Sequence, residues 1–263
     1  MKLLTPAVAA VVLAFTATTP IHAQTPEELG LEIVTKANAQ DDGFGDSTSS
    51  MIMTLVNRSG KKNVRRIRSR VLEVANDGDK SMTIFDEPKD VKGTASLTYS
   101  HATEADEQWL YLPALKRVKR ISSKNKTGAF MGSEFAFEDI GSQEVEKYTY
   151  KHLGEDEIDG VPVHVIESVP AYKYSGYTRL VGYMDKEKLV NVKVEYFDRK
   201  NALLKVLTMS GYQQYKDKFW RADKLEMVNK QTGKSTTLEF SDYQFGTGLA
   251  DKDFSSNALK KIR

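Results

Sequence analysis

The side chains able to do chemistry are few and scattered. Beyond residue 23 the histidines are His101, His152 and His164. None stands at a metal-ligand spacing such as H-E-x-x-H, and each reads as a strand or surface residue. There is no G-x-S-x-G elbow, Walker A loop or G-x-G-x-x-G run, so the local signatures of acyl transfer, nucleotide binding and dinucleotide binding are absent. Glu104, Asp106, Glu107, Glu155, Asp156, Glu157 and Asp159 lie in polar, turn-like surroundings that would not drive one carboxyl pKa away from another. Asp41–Asp46 faintly suggests a calcium loop but lacks the ligand spacing and terminal Glu of an EF-hand. Zero cysteine removes disulfides, thiol nucleophiles, cysteine-ligated zinc and a lipid-bearing N-terminal Cys. Neither an enzyme nor a cofactor or metal is expected.

Binding chemistry is better represented. Several stretches carry apolar residues at consecutive positions: Met51-Ile52-Met53, Trp109 to Leu112, and Leu203-Leu204 with Val206-Leu207. A sheet with one wetted face should alternate instead, so both faces must be covered, by core packing or around a greasy pocket. Phe130 to Ile140 concentrates Phe130, Met131, Phe135 and Phe137 in one long loop, the kind of segment that serves as a lid or a plug. Two basic stretches stand out, Arg65, Arg66, Arg68 and Arg70, and then Lys116, Arg117, Lys119, Arg120, Lys124 and Lys126. They suit anionic head groups or an acidic partner, or else the charged edge of a sheet guarded against aggregation.

The elements that must position these residues are mostly strands. Thr25-Pro26-Glu27-Glu28 opens a helix whose apolar side is Leu31, Ile33, Val34 and Ala37. From residue 47 to about 243, short alternating runs separated by Ser59-Gly60, Asn76-Asp77-Gly78, Asp159-Gly160, Asp198–Asn201 and Thr232-Gly233 read as antiparallel hairpins. The runs are Met51–Val56, Val64–Val74, Met82–Phe85, Gln108–Leu112, Leu115–Ile121, Tyr148–Leu153, Val161–Ser168, Arg179–Met184, Val190–Phe197, Leu203–Met209, Lys224–Asn229 and Ser235–Tyr243. A short helix is expected near Gln143–Lys147.

Length and composition fit one domain. The chain has 263 residues, 40% hydrophobic and 28% charged, with 38 Lys+Arg against 36 Asp+Glu, values of an ordinary globular protein. Residues 1–23, with Lys2 as the sole charge, an apolar Ala7–Phe15 and Ile21-His22-Ala23 before Gln24, read as a cleaved secretory signal peptide. The apolar run falls short of the ~20 residues needed to span a bilayer. Residues 24–263 are expected to form a single exported domain, a monomer in the periplasm, and export disfavours nucleic acid as a partner.

Three ordered blocks carry a family resemblance. Met51-Ile52-Met53, Gly60 and Phe85 to Thr94 form the first, Trp109 to Ile121 the second, and Phe130 to Asp139 the third. Together they resemble the LolA-like outer-membrane lipoprotein-sorting protein family. That resemblance implies a mainly β fold with a few helices, an incomplete (half-open) antiparallel β-barrel wrapped over helices and a lid loop. It also implies a periplasmic carrier that binds acyl chains of a lipoprotein or other lipid in a hydrophobic cavity for transfer toward the outer membrane. Relatives with these blocks are often associated with inner-membrane transporters of the resistance-nodulation-division type. On this reading Met51, Met53, Leu55, Trp109 and Tyr111 line the cavity, and Phe130, Met131, Phe135 and Phe137 form its lid or rim. Arg66, Arg68, Lys119 and Arg120 contact a head group or partner. The rivals are an accessory docking subunit of such a transporter, and a hydrolase of envelope lipid or glycan built from side chains that meet only in the fold.

Overall fold

The computed structural model describes residues 24–261, so the signal-peptide expectation for 1–23 lies outside it. Helix α1 (Pro26–Asp41) starts where its sequence says it should. Thr25 Oγ1 accepts the Glu28 N–H at 3.2 Å, and the Glu28 carboxylate accepts the Thr25 N–H at 2.8 Å. This capping box satisfies two orphan donors and is worth about 1 kcal/mol. The helix turns Gly30 and Ile33 inward.

Thirteen strands follow: β1 (Asp46–Val56), β2 (Lys62–Leu72), β3 (Lys80–Glu87), β4 (Ala95–Tyr99), β5 (Glu107–Leu112), β6 (Arg117–Ile121), β7 (Tyr148–Ile158), β8 (Val161–Pro170), β9 (Tyr177–Asp185), β10 (Asn191–Asp198), β11 (Leu203–Tyr215), β12 (Phe219–Asn229) and β13 (Ser235–Phe245). Helix α2 (Ser256–Lys261) ends the described chain. The strands form one antiparallel sheet in the order β6-β5-β4-β3-β2-β1-β13-β12-β11-β10-β9-β8-β7. Every strand pairs with its sequence neighbour, except that β1 pairs with β13 while β6 and β7 are left as free edges. The mainly β, incomplete antiparallel barrel expected from the sequence is borne out: the sheet has two free edges and does not close.

The sheet must curl, and the segment between β6 and β7 shows it. Residues 122–147 run through four short 3-10 turns. On one side Phe130 packs against Phe85 of β3, ring centroids 6.1 Å apart. On the other, Asp139 accepts the Tyr177 hydroxyl of β9 at 2.8 Å. In a flat sheet β3 and β9 would stand about 34 Å apart at about 4.8 Å per strand; one loop touches both because the sheet closes around it.

Register assigns the faces. Ile67, Met51 and Phe240 lie side by side across β2, β1 and β13, and Met53, Leu238, Leu225 and Met209 continue across β13 to β11. A third row runs Met227, Leu207, Val194, Gly182, Ile166. These residues face inward, toward the loop and α1. The opposite face of β3–β5 carries Met82, Ile84, Ala95 and Leu97, covered by Phe254 and by Leu259 of α2.

Here the sequence reading needs correction. Trp109 and Tyr111 do not join Met51, Met53 and Leu55. Trp109 is paired with Leu97, hence with Met82 and Arg70, on the outer face, and both aromatics pack in the cluster capped by α2. The run Leu115–Ile121 divides into a 3-10 turn, Pro113–Leu115, and β6. The helix expected near Gln143–Lys147 is a single 3-10 turn, Val145–Lys147. Strand β4 and helix α2 were not anticipated.

Candidate functional site

The interior is divided in two. One part is filled by the 122–147 segment, whose aromatics are a plug: Phe130 is 1% and Phe135 3% exposed, and Met131 and Phe137 pack against the same core. The backbone of this segment is tied down at both sides of the sheet. Arg65 Nη1 donates to the Met131 carbonyl at 2.6 Å, and Gln108 Nε2 donates to the Phe137 carbonyl at 2.7 Å. Opposite, Lys205 Nζ donates to Asp139 Oδ2 at 2.6 Å and to the Glu134 carbonyl at 3.0 Å. Both partners of this ion pair are buried, their side chains 4% and 5% exposed. Lys205 also lies within 5.2 Å of the Tyr177 and Tyr196 ring centres, so two aromatic rings flank the buried ammonium in cation–π contact. Neighbouring Glu138 accepts the Gly176 N–H at 2.9 Å and the Ser175 hydroxyl at 3.0 Å; burial raises its pKa above the ordinary value. The two acids are anchors of the plug: both reach the start of β9, and Asp139 also reaches Lys205 of β11.

The other part is not filled. Between α1 and the inward face of β7–β13 lies a cavity of about 440 Å³, within the range of ~300–1,000 Å³ typical of small-molecule sites. Val34 and Ala37 of α1 form one wall. The facing wall is Tyr150, Ile166, Leu180, Met184, Val194, Met209, Leu225, Phe240 and Tyr243, one inward residue or two from each of seven strands. Gly182 sits in the middle of that wall between Val194 and Ile166. A Cβ there would come 2.9 Å from Asn191 Oδ1, so the missing side chain is part of what keeps the space open. Within this lining the buried Tyr150 hydroxyl has no hydrogen-bond partner in the protein, an uncommon condition for a buried donor.

The placement of the residues singled out from sequence is mixed. Met51 and Met53 are buried in the core cluster with Leu55 at its margin, next to cavity residues Met209, Leu225 and Phe240, but they do not line the cavity. Phe130, Met131, Phe135 and Phe137 are the plug and not a rim. Arg66 pairs with Glu87 at 3.0 Å, and Arg68 makes a two-pronged contact with Asp86 at 2.7 Å. Arg120 pairs with Glu107, and Lys119 is exposed on the edge strand β6. None of these four cations reaches the cavity. The true lining escaped the sequence reading because it is assembled from single inward positions on many strands. Its one legible signal was the alternation Leu180-Gly182-Met184, repeated as Leu207-Met209, Leu225-Met227 and Leu238-Phe240.

Catalytic constellations gain little. His152 and His164 meet with ring nitrogens 3.2 Å apart, and His101 Nδ1 is 2.8 Å from Asp77. Among the described residues no group of three or more His, Cys, Asp or Glu is placed to hold a metal ion. Nor is any described helix long and apolar enough to cross a membrane.

With this geometry in place, the chain can be compared with known proteins. A family model described as an uncharacterized protein matches residues 77–261. Among solved structures, an outer membrane lipoprotein-sorting protein domain from Vibrio parahaemolyticus is 54% identical, with a TM-score of 0.88 over 89% of this chain and 99% of that one. A DUF1329 family protein from Desulfovibrio piger is 29% identical, with a TM-score of 0.85 over 89% and 99% of the two chains. A LolA superfamily protein from Nitrosomonas europaea shares the fold at 18% identity, with a TM-score of 0.70 over 87% and 98%. No curated protein gives a significant match.

Proposed function

The chain belongs to the DUF1329 family of LolA-like, outer membrane lipoprotein-sorting proteins, and from that premise we propose that it is a periplasmic carrier of acyl chains. The observation that carries this reading is the cavity of about 440 Å³ between α1 and the inward sheet face. The wall between its two ends is mainly apolar, and the Tyr150 hydroxyl within it, which has no partner in the protein, supports a site that receives a guest. An acyl chain leaving water gains about 0.8 kcal/mol per methylene, so a dozen buried methylenes supply ample affinity.

The cargo is a lipid or the acyl chain of a lipoprotein, taken up after export and passed toward the outer membrane. Because the plug is pinned by the Lys205–Asp139 pair while α1 covers the cavity with few inward residues, α1 is the side by which cargo enters. Native mass spectrometry and lipid extraction of protein purified from the periplasm test this directly. Co-purified lipid is expected, and Gly182→Leu, which projects a side chain into the space, should lose both that lipid and uptake of a fluorescent fatty acid while remaining folded. Failure to recover lipid, with no probe uptake by the unaltered protein, refutes the carrier.

One observation favours a second reading, a subunit docking onto an inner-membrane transporter. The free edge strand β6 is short and basic, with Arg117, Lys119 and Arg120 exposed. Under that reading Arg117→Glu with Lys119→Glu abolishes function while Gly182→Leu spares it; under the carrier reading the order is reversed.

A further inference from the structure

One end of the cavity, at the C-terminal end of α1, is ringed by cations. Lys188 stands on the β9–β10 turn, Lys218 on the β11–β12 turn and Arg221 on β12, and all three line the cavity beside Trp220. Asp41 is the one carboxylate in that lining among the described residues. Protein partners occupy only part of the hydrogen-bonding capacity. Lys188 Nζ meets Asp185 Oδ2 at 3.0 Å, and the Lys218 ammonium donates to the Asp42 carbonyl. Arg221 Nη1 donates to Asp41 Oδ1 at 2.5 Å and to the Trp220 carbonyl at 2.8 Å. An ammonium has three protons to donate and a guanidinium five, so donors remain on each.

The simplest account is that these cations complement the negative end of the α1 dipole. It explains the contacts of Lys218 and Arg221 with Asp42 and Asp41. It does not explain Lys188, whose carboxylate partner is on β9, nor why all three border an apolar space. Trp220 adds to the case. Its ring carries Lys188 Nζ 5.6 Å from its centre, and Trp is a residue suited to a boundary between apolar and wet surroundings.

Building on the carrier reading, we propose that the cargo is an amphiphile with an anionic oxyacid head, a phosphate or carboxylate. Lys188, Lys218 and Arg221 hold the head, and the hydrocarbon lies against Leu180, Val194, Met209 and Leu225. Charge-assisted hydrogen bonds to such a head are strong and directional, and they set which lipids are taken, while the chain supplies affinity.

The test is titration of the full mature protein with dodecyl phosphate, the uncharged dodecyl maltoside and inorganic phosphate, below micellar concentrations, following tryptophan fluorescence and heat. Dodecyl phosphate should bind at least tenfold tighter than dodecyl maltoside, with a preference that shrinks in salt. Lys188→Gln with Lys218→Gln should remove the preference, and Lys188→Arg with Lys218→Arg should keep it, which separates loss of charge from loss of fold. Equal binding of the two amphiphiles refutes the anionic head and leaves the carrier standing. Inorganic phosphate binding as tightly as dodecyl phosphate refutes an amphiphile in favour of a free anion. No binding of either dodecyl compound refutes this proposal and the carrier together.

Discussion

Replacing Lys205 by methionine should loosen the plug at a cost that can be reckoned from its surroundings. The ammonium is 4% exposed and the Asp139 carboxylate 5%, so solvent screens neither. Removing one member of a buried ion pair costs about 3–5 kcal/mol, because the other charge is left unbalanced. Asp139 would keep the Tyr177 hydroxyl at 2.8 Å and the Ala136 N–H at 2.6 Å, which places the expected loss near the lower figure, about 3 kcal/mol. In a domain of this size each kcal/mol lowers Tm by about 2–4 °C, so the fall should be about 6–12 °C. Urea denaturation of Lys205→Met, Asp139→Asn and the double variant measures the pair itself. The double variant has no stranded charge, so its loss should be smaller than the sum of the singles by about 1–3 kcal/mol. A loss below about 1 kcal/mol for Lys205→Met, or singles that simply add, would refute a plug held by this pair.

Burial pushes the Asp79 carboxyl up to about 7, with Glu144, Glu73 and Asp41 adding repulsion. The folded protein thus holds that proton more tightly than the unfolded chain, whose carboxyl titrates near ~3.9. Its contribution is whole below about pH 4 and is lost as pH rises toward 7. Asp79→Asn should raise stability at pH 8 and change it little at pH 4; equal effects by urea denaturation at both would contradict this. Phe254→Ala, at a fully buried ring under α2, should cost about 3–5 kcal/mol, while Leu115→Ala at a 66% exposed site should stay within about 0.5 kcal/mol. Gly30→Ala would bring a Cβ to 2.8 Å from the His152 nitrogen and 3.0 Å from Lys151 backbone. It should lift α1 at about 1–3 kcal/mol and increase binding of a hydrophobic dye, and unchanged dye binding would show that α1 does not cover the apolar wall.

Much of the architecture could be read before any coordinates, because its causes are local. Thr25 and Glu28 announce α1, the glycine-bearing turns announce the hairpins, and alternation announces the strands. Where the cause is distant, the reading failed. Ala95–Tyr99 is a short strand whose Ser96 and Thr98 are buried, so polarity concealed it. Nothing in the strand that holds Trp109 and Tyr111 says which face is inward; that depends on register carried from Met51 through three intervening strands. The basic stretch Arg66–Arg70 was legible as charge, but its pairing with Asp86 and Glu87 required β3 to lie alongside. The cavity wall takes one or two residues from each of seven strands, and no window of sequence contains it.

The strand order also has a temporal meaning. β1 to β6 form one local meander and β7 to β13 another, and strand pairing joins the two where β1 meets β13, through pairs such as Met51 with Phe240 and Met53 with Leu238. Most of the described chain lies between those partners. A polypeptide emerging N-terminus first can assemble each meander as it arrives, but it cannot weld the two until its last strand is out. Contacts of such long sequence separation are the slow part of folding. Until the weld forms, β1 and the concave apolar rows of both meanders are open to other chains. Before the weld, the nascent chain thus shows to its surroundings the same apolar rows that the finished sheet turns inward.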